Sequence, residues 1–355
     1  MAAFTGQLRS NEIFSALYNM IISQEVFADN LGEHQTLVDE ARVDGSLYGD
    51  TKLYYSTDVL KSARWGNDAE AANLLALHRP AAPKVQAIHL DQFRQICLTV
   101  DNYLSKRAWA TEGTFSEFNS VMLGWMRDTK RVYDGTLYNV FIGTTVSPKT
   151  TQTRGIPVKG LTDAKEEAML IAQGLADLFV EMGDYSRKFN DNGFLRSYAK
   201  DGIKVIWNSK YVNKIRKVDL PTIFHKDGLI DKFEEEVLPA RYFGEKKDKA
   251  HTAAAGERSV IEKDYSLSGA VTHVFPGDFI PVGASVAANE AYVEDADVIC
   301  KVLVKLPPYM SAFEVGTSFF NPKSLTENHY LTFGHNTIEY LENYPFITVK
   351  AVTGE

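Results

Sequence analysis

The segment KVQAIHLDQFRQICLTVDN, residues 84–102, sets the strongest limit on how this chain can fold. Its even positions are Ile88, Leu90, Gln92, Arg94, Ile96, Leu98 and Val100. Alternation of this kind marks a β-strand. One face is apolar at both ends and polar in the centre, so the strand is anchored twice and wet or partnered between. Two arrangements satisfy this. The strand is either an arm crossing solvent or a subunit boundary, or the edge of a larger sheet. Its natural partner is TKLYYSTDVL, residues 51–60, where Leu53, Tyr55, Thr57 and Val59 alternate with Lys52, Tyr54, Ser56 and Asp58. The intervening KSARWGNDAEAANLLALHRPAAP is too long for a tight turn. Residues 51–100 therefore read as a long two-stranded arm with an elaborated tip. Isolated ribbons of this kind are marginal in water and need another surface.

Around the arm the chain reads as mixed helix and strand. SNEIFSALYNMIISQ, residues 10–24, places Ile13, Phe14, Leu17, Tyr18, Ile21 and Ile22 on one helical face. TFSEFNSVMLGWMRDTKRVYDG, residues 114–135, reads as a helix of roughly 30 Å. Thr114 and Glu117 supply its capping box and Gly135 its stop. LYNVFIGTT then reads as a strand, and SPKTTQTRGIPVKG, residues 147–160, as a linker. A second long helix follows, capped by Thr162, with Ala168, Ile171, Leu175, Leu178, Phe179 and Met182 as its buried stripe. GIKVIWN is a buried strand and SKYVNKIRK a short basic helix. EKKDKAHTAAAGERS, residues 245–259, reads as a mobile loop. AVTHVFPGDFIPVG and DADVICKVLVKL are strand-like, residues 306–344 are aromatic loops and turns, and PFITVKAV is a closing strand.

The chemistry expected of an enzyme is missing from the pattern. GxGxxG, GxxxxGK[ST] and GxSxG do not occur. His329 and His335 lie near Glu327 and Glu339, but the spacing matches neither HExxH nor a zinc finger, and a structural role among aromatics is expected. Glu234, Glu235 and Glu236 read as a solvated face. Asp295 and Asp297 flank a strand start without a recognisable cleft. No cofactor or metal is expected. Cys97 and Cys300 lack a CxxC partner and read as buried free thiols. With 46 acidic against 38 basic residues, the formal charge is −8, which gives no basic excess to draw nucleic acid or an anionic membrane. The opening MAAFTGQLRSNE lacks the charged and apolar regions of a secretory signal, and no run is long enough to span a membrane.

An arm, a long ribbon, a long helix, a second helix-and-sheet unit and a closing strand follow one another in an order that resembles the tailed-phage major capsid proteins with the Hong Kong 97-like fold. GIKVIWNSKYVNKIRKVDLP resembles that family's strand-then-short-helix unit. HVFPGDFIPVG and PPYMSAFEVGTSFFNPKSLTENHYLTFG read like its turn phrases. The resemblance implies an α+β fold with an N-terminal arm (1–48), an extended loop (49–102) and a peripheral domain with a spine helix (103–150). It further implies an axial domain (151–320) and a return to the peripheral domain (321–355). Implied too is a homo-oligomer of hexamers and pentamers, a phage shell around double-stranded DNA held without sequence specificity. The shell would be assembled in the bacterial host cytoplasm with scaffolding and portal proteins. Arg64, Trp65 and Leu75 at the loop tip, with Phe93 and Arg94 in the strand, are the intersubunit contact candidates. Lys61 and Lys84 lie near the tip, but nothing marks an acceptor asparagine for crosslinking. Two alternatives remain open at this point: a cellular nanocompartment shell of encapsulin type, and an α+β enzyme or ligand-binding domain.

Overall fold

The computed structural model describes residues 37–45, 50–62, 79–101, 112–212 and 234–354, with side chains from Gly124 onward in the long helix. In chain order the elements begin with α1 (Leu37–Ala41), β1 (Arg42–Asp44), β2 (Lys52–Ser56), β3 (Lys84–Ile88) and β4 (Leu90–Asp101). They continue with α2 (Glu112–Thr144), β5 (Thr153–Lys159), α3 (Ala164–Gly183), β6 (Lys204–Asn208) and β7 (Glu234–Leu238). A run of short strands follows: β8 (Gly244–Lys246), β9 (His251–Thr252), β10 (Glu257–Ser259), β11 (Lys263–Leu267), β12 (Ala270–Val274), β13 (Ser285–Val286) and β14 (Ala291–Glu294). The last elements are β15 (Val298–Leu303), β16 (Tyr309–Asn321), β17 (Thr326–Asn336) and β18 (Phe346–Thr353).

A five-stranded sheet, in the order β5-β18-β15-β6-β7, forms one centre. Strands β6 and β15 are buried at every position, the mark of strands covered on both faces. Val205, Trp207, Val302, Ile347 and Val349 meet α3 through Ile171, Leu175, Leu178, Phe179 and Met182, the stripe expected from helical spacing. Asp163, not Thr162, caps α3, because its carboxylate accepts from the Lys165 amide. On the opposite face Ile206, Leu303 and Phe346 pack against Tyr138 and Ile142 of α2. Each fully buried aliphatic or aromatic side chain contributes about 1.5–3 kcal/mol, so this double-sided core anchors the chain.

A four-stranded sheet, β1-β16-β17-β4, forms the second centre. Here the long strand read from sequence divides at His89. β3 pairs antiparallel with β2 over five register pairs, from Lys52↔Ile88 to Ser56↔Lys84. β4 instead pairs with β17, from Leu90↔Asn336 to Asp101↔Thr326. Of the two arrangements read from sequence, β4 takes the second, the edge of a larger sheet, while β3 pairs with β2 in a ribbon of five register pairs among the described residues, its tip lying outside them. The residues read as aromatic loops form the hairpin β16–β17, and the stretch read as a linker contains β5. Residues 245–259 are not a loop but hold β9 and β10. Cys97 is exposed on the outer side of β4, correcting its expected burial. Cys300 is buried, with its thiol pushed up by desolvation.

The expected stop at Gly135 and the strand after it are absent, since α2 runs unbroken to Thr144. Tyr138 and Ile142 extend the i, i+4 stripe onto the five-stranded sheet. That burial outweighs the cost of an interior glycine, about 1 kcal/mol. Thr136 and Thr144 return their hydroxyls to the carbonyls of Val132 and Val140, both at 2.7 Å. Gly143 marks the closest approach, where an added Cβ would lie 2.1 Å from the Tyr242 carbonyl oxygen. Gly143→Ala is therefore expected to destabilise by about 2–4 kcal/mol, despite the roughly 1 kcal/mol that alanine adds to a helix. Gly124→Ala, with nothing within 4 Å of the new methyl, should stabilise by up to about 1 kcal/mol. Denaturant midpoints of the two variants test this contrast.

Candidate assembly surface

The β2–β3 ribbon has two unlike faces. Tyr54, Ser56 and Ile88 point inward, with Ser56 and Ile88 buried. Leu53, Tyr55, Val85 and Ala87 share the outward face and are exposed, Tyr55 at 64%. Among the described residues nothing covers this face. The apolar series continues into exposed Val59 and Leu60. A contiguous exposed apolar patch of this kind marks an interaction surface more often than chance.

The inward face and the ribbon's end are fastened to the loop after α3 and to residues 340–344. Asp58 is the centre of the fastening. Its Oδ2 pairs with Arg187 at 2.6 Å, and its Oδ1 accepts from the Leu195 amide at 3.0 Å and the Val59 amide at 2.9 Å. Arg196 donates to the Thr57 carbonyl. The Gln86 side chain donates to the Tyr340 carbonyl at 3.0 Å and accepts from the Glu342 amide at 3.1 Å. Lys305 lies 5.5 Å from the ring centres of both Tyr54 and Tyr344, a cation held between two aromatic faces. The ribbon is thus oriented by contacts within its own chain.

Of the five contact candidates, Arg64, Trp65 and Leu75 lie outside the described residues. Phe93 is 61% exposed on the outer side of β4, opposite Gly334. Arg94 faces inward and is engaged within the chain. Its guanidinium donates to the Glu262 carbonyl at 3.0 Å, pairs with the Glu262 carboxylate at 3.5 Å and sits 5.1 Å from the Tyr133 ring centre. Gln92 bonds Thr337 at 3.3 Å. The polar centre of the long strand therefore meets polar partners in the same subunit, which sequence alone could not supply. The outward ribbon face was missed, although the alternation of Leu53 and Tyr55 was its signal.

His335 is buried. Its Nδ1 faces the Asn336 carbonyl at 2.9 Å and its Nε2 the Tyr133 hydroxyl at 2.8 Å. The carbonyl can only accept, so Nδ1 carries the proton and Nε2 accepts. Burial lowers its pKa, which fits a neutral ring. His329 lies 3.9 Å from Glu327. A groove of about 500 Å³ opens between α2 and the hairpin β16–β17, lined in part by Met126, Arg127, Glu314, His329 and Leu331. Among the described residues no group of three His, Cys, Asp or Glu side chains is placed to hold a metal, and no helix is long and apolar enough to cross a membrane. Asp295 and Asp297 each meet a lysine, Lys350 at 2.9 Å and Lys159 respectively.

Solved structures share this fold. The capsid structure of Staphylococcus phage Andhra superposes with a TM-score of 0.56 at 10% identity, over 86% of this chain and 80% of that one. The structure titled head fiber and inner core protein gp22 of native bacteriophage P68 gives 0.56 at 11% identity, over 84% and 80%. At these identities the likeness is one of fold. No family model and no curated protein matches the sequence.

The Asp58 fastening has a defined pH range. The Arg187 hydrogen bond, followed by the Leu195 amide, lowers its pKa to about 2. A depressed carboxylate stabilises fully above its unfolded value, near 3.9, and loses that contribution as pH falls through about 2. Hydrogen exchange should therefore show β2 and β3 equally protected at pH values of about 5 and 7, and Asp58→Asn should lower that protection at both without unfolding α3.

Proposed function

We propose that this chain is the major capsid protein of a tailed phage, a shell subunit of the Hong Kong 97-like type. The observation that carries the proposal is the shared fold with the Andhra capsid structure, together with an apolar ribbon face that the described chain leaves uncovered. In this reading α2 is the spine helix and, with β1-β16-β17-β4, forms the peripheral domain. The five-stranded sheet and α3 form the axial domain, so that, unlike the bounds expected from sequence, β16 counts with the peripheral domain and β18 with the axial one. The β2–β3 ribbon is the base of the extended loop, laid across a neighbouring subunit with Leu53, Tyr55 and Val85 downward. Hexamers and pentamers close into an icosahedral shell around double-stranded DNA, with scaffolding and portal proteins as assembly partners in the host cytoplasm. Arg64, Trp65, Leu75, Phe93 and Arg94 remain candidate contacts, Arg94 in addition to its bonds within the chain. The net charge of −8 suits a wall that must not trap DNA non-specifically.

Electron microscopy and sedimentation velocity of the purified chain test this. Closed shells, tubes, or rings of five and six are expected. The triple variant Leu53→Ser, Tyr55→Ser, Val85→Ser should keep its fold, each change costing within about 0.5 kcal/mol as for other exposed sites, and should stop at monomers or small oligomers. A homogeneous wild-type monomer, at high concentration and with scaffold supplied, overturns the proposal. A shell whose purified contents are an enzyme rather than DNA favours the nanocompartment instead.

A further inference from the structure

Two histidines in the short-strand region share an arrangement that the shell reading does not use. His251 on β9 places Nδ1 2.9 Å from the Lys249 carbonyl and Nε2 2.7 Å from Oε2 of Glu257 on β10, whose side chain is buried. His273 on β12 places Nδ1 2.6 Å from Oδ1 of Asp264 on β11 and Nε2 2.9 Å from Oε1 of Glu262 just before it. In both rings each nitrogen meets an oxygen that only accepts. A neutral imidazole has one N–H and would point a lone pair at the second oxygen. A second proton on each ring would satisfy both of its contacts and make the ring an imidazolium joining two segments.

The second site reaches further than its own hairpin. The Glu262 carboxylate offers Oε1 to His273 and Oε2 to Arg94 of β4, which rests on Tyr133 of α2. The charged groups facing His273 are thus Asp264, Glu262 and, beyond it, Arg94. Those facing His251 are Glu257 and the more distant Lys247. Carboxylates dominate at both rings, and the ring of His273 also meets Phe275 edge-on at 5.0 Å.

We propose that the β11–β12 hairpin and the β9–β10 turn are each closed by an imidazolium staple, and that the hairpin is a proton-controlled flap on the four-stranded sheet. It loosens as pH rises and closes as pH falls. Hydrogen bonds to Asp264 and to Glu257 raise the two pKa values above the ordinary histidine range. A raised folded value gives a contribution fully present below the unfolded value, near 6.5, and lost as pH rises through the folded one. The inference rests on contacts within one subunit and is independent of the shell.

Hydrogen exchange of the unassembled full chain tests it, with rates corrected for intrinsic pH dependence. Protection of β11–β12 and of β9–β10 is expected to fall between about pH 6 and about pH 9, by at most about tenfold per pH unit for each proton released. Residues of α3 should not change. His273→Gln should show the loosened hairpin at both pH values, and His251→Gln the loosened β9–β10 turn. His273→Arg, charged throughout, should keep the hairpin protected at both. A wild-type profile that is flat across this range overturns the proposal. So does a Gln variant with the wild-type profile, or an Arg variant that loses protection as wild type does.

Discussion

Helix α2 is the member on which the rest of the structure depends. Its 33 residues span about 50 Å. Its middle lies on the four-stranded sheet and its last turns on the five-stranded sheet, so one rigid rod fixes both. At the junction stands Asp134, buried to 1% exposure. Its carboxylate accepts from Tyr309 at 2.7 Å and pairs with Lys130 at 3.2 Å and Arg42 at 3.3 Å. A buried carboxylate costs several kcal/mol unless its oxygens are satisfied. Here the satisfying groups come from three separate elements. Arg42 belongs to β1, Tyr309 to β16 and Lys130 to the helix itself. The charge therefore selects one placement of β1 and β16 on the helix and penalises every other.

The far end of α2 is solved differently. No glycine cap closes it. Lys301 of β15 donates to the Thr145 carbonyl at 2.7 Å and to the Thr348 hydroxyl at 2.8 Å, while Lys246 of β8 donates to the Thr145 hydroxyl at 3.3 Å. Two amines at a helix C-terminus complement its dipole. Burial lowers both pKa values, that of Lys301 to about 7. The helix end is thus set by side chains more than a hundred residues distant in sequence. A local search for a stop signal finds Gly135 instead, and ends the helix one-quarter too early.

That contrast explains what was legible. The stripe of α3, the buried run of β6, the pairing of β2 with β3 and the closing strand are all local periodicities, and each recurs in the structure. The shared order of parts also led to the capsid fold. The long hairpin β16–β17 was hidden because its alternation is interrupted by a register shift between Ala312 and Val315 and by Gly316 and Gly334. Strands β8 to β10 run for two or three residues, too short to carry a period, and are held by turns and by the His251–Glu257 contact. The contacts of Arg94 within the chain were not legible because its partner, Glu262, lies 168 positions away.

The candidate assembly face follows from the same division of labour. The two sheet cores and the bridging helix are closed without the ribbon's outward face, which stays apolar and exposed among the described residues. Its inward face does the opposite work. Asp58, Gln86 and Lys305 hold the ribbon at a fixed angle through contacts that are polar, local to one subunit and retained in moderate acid. Association loses less entropy when the docking element is already ordered. The polar, charge-paired side of the ribbon thus sets its direction, and the side of leucine, tyrosine and valine that it backs is left exposed among the described residues.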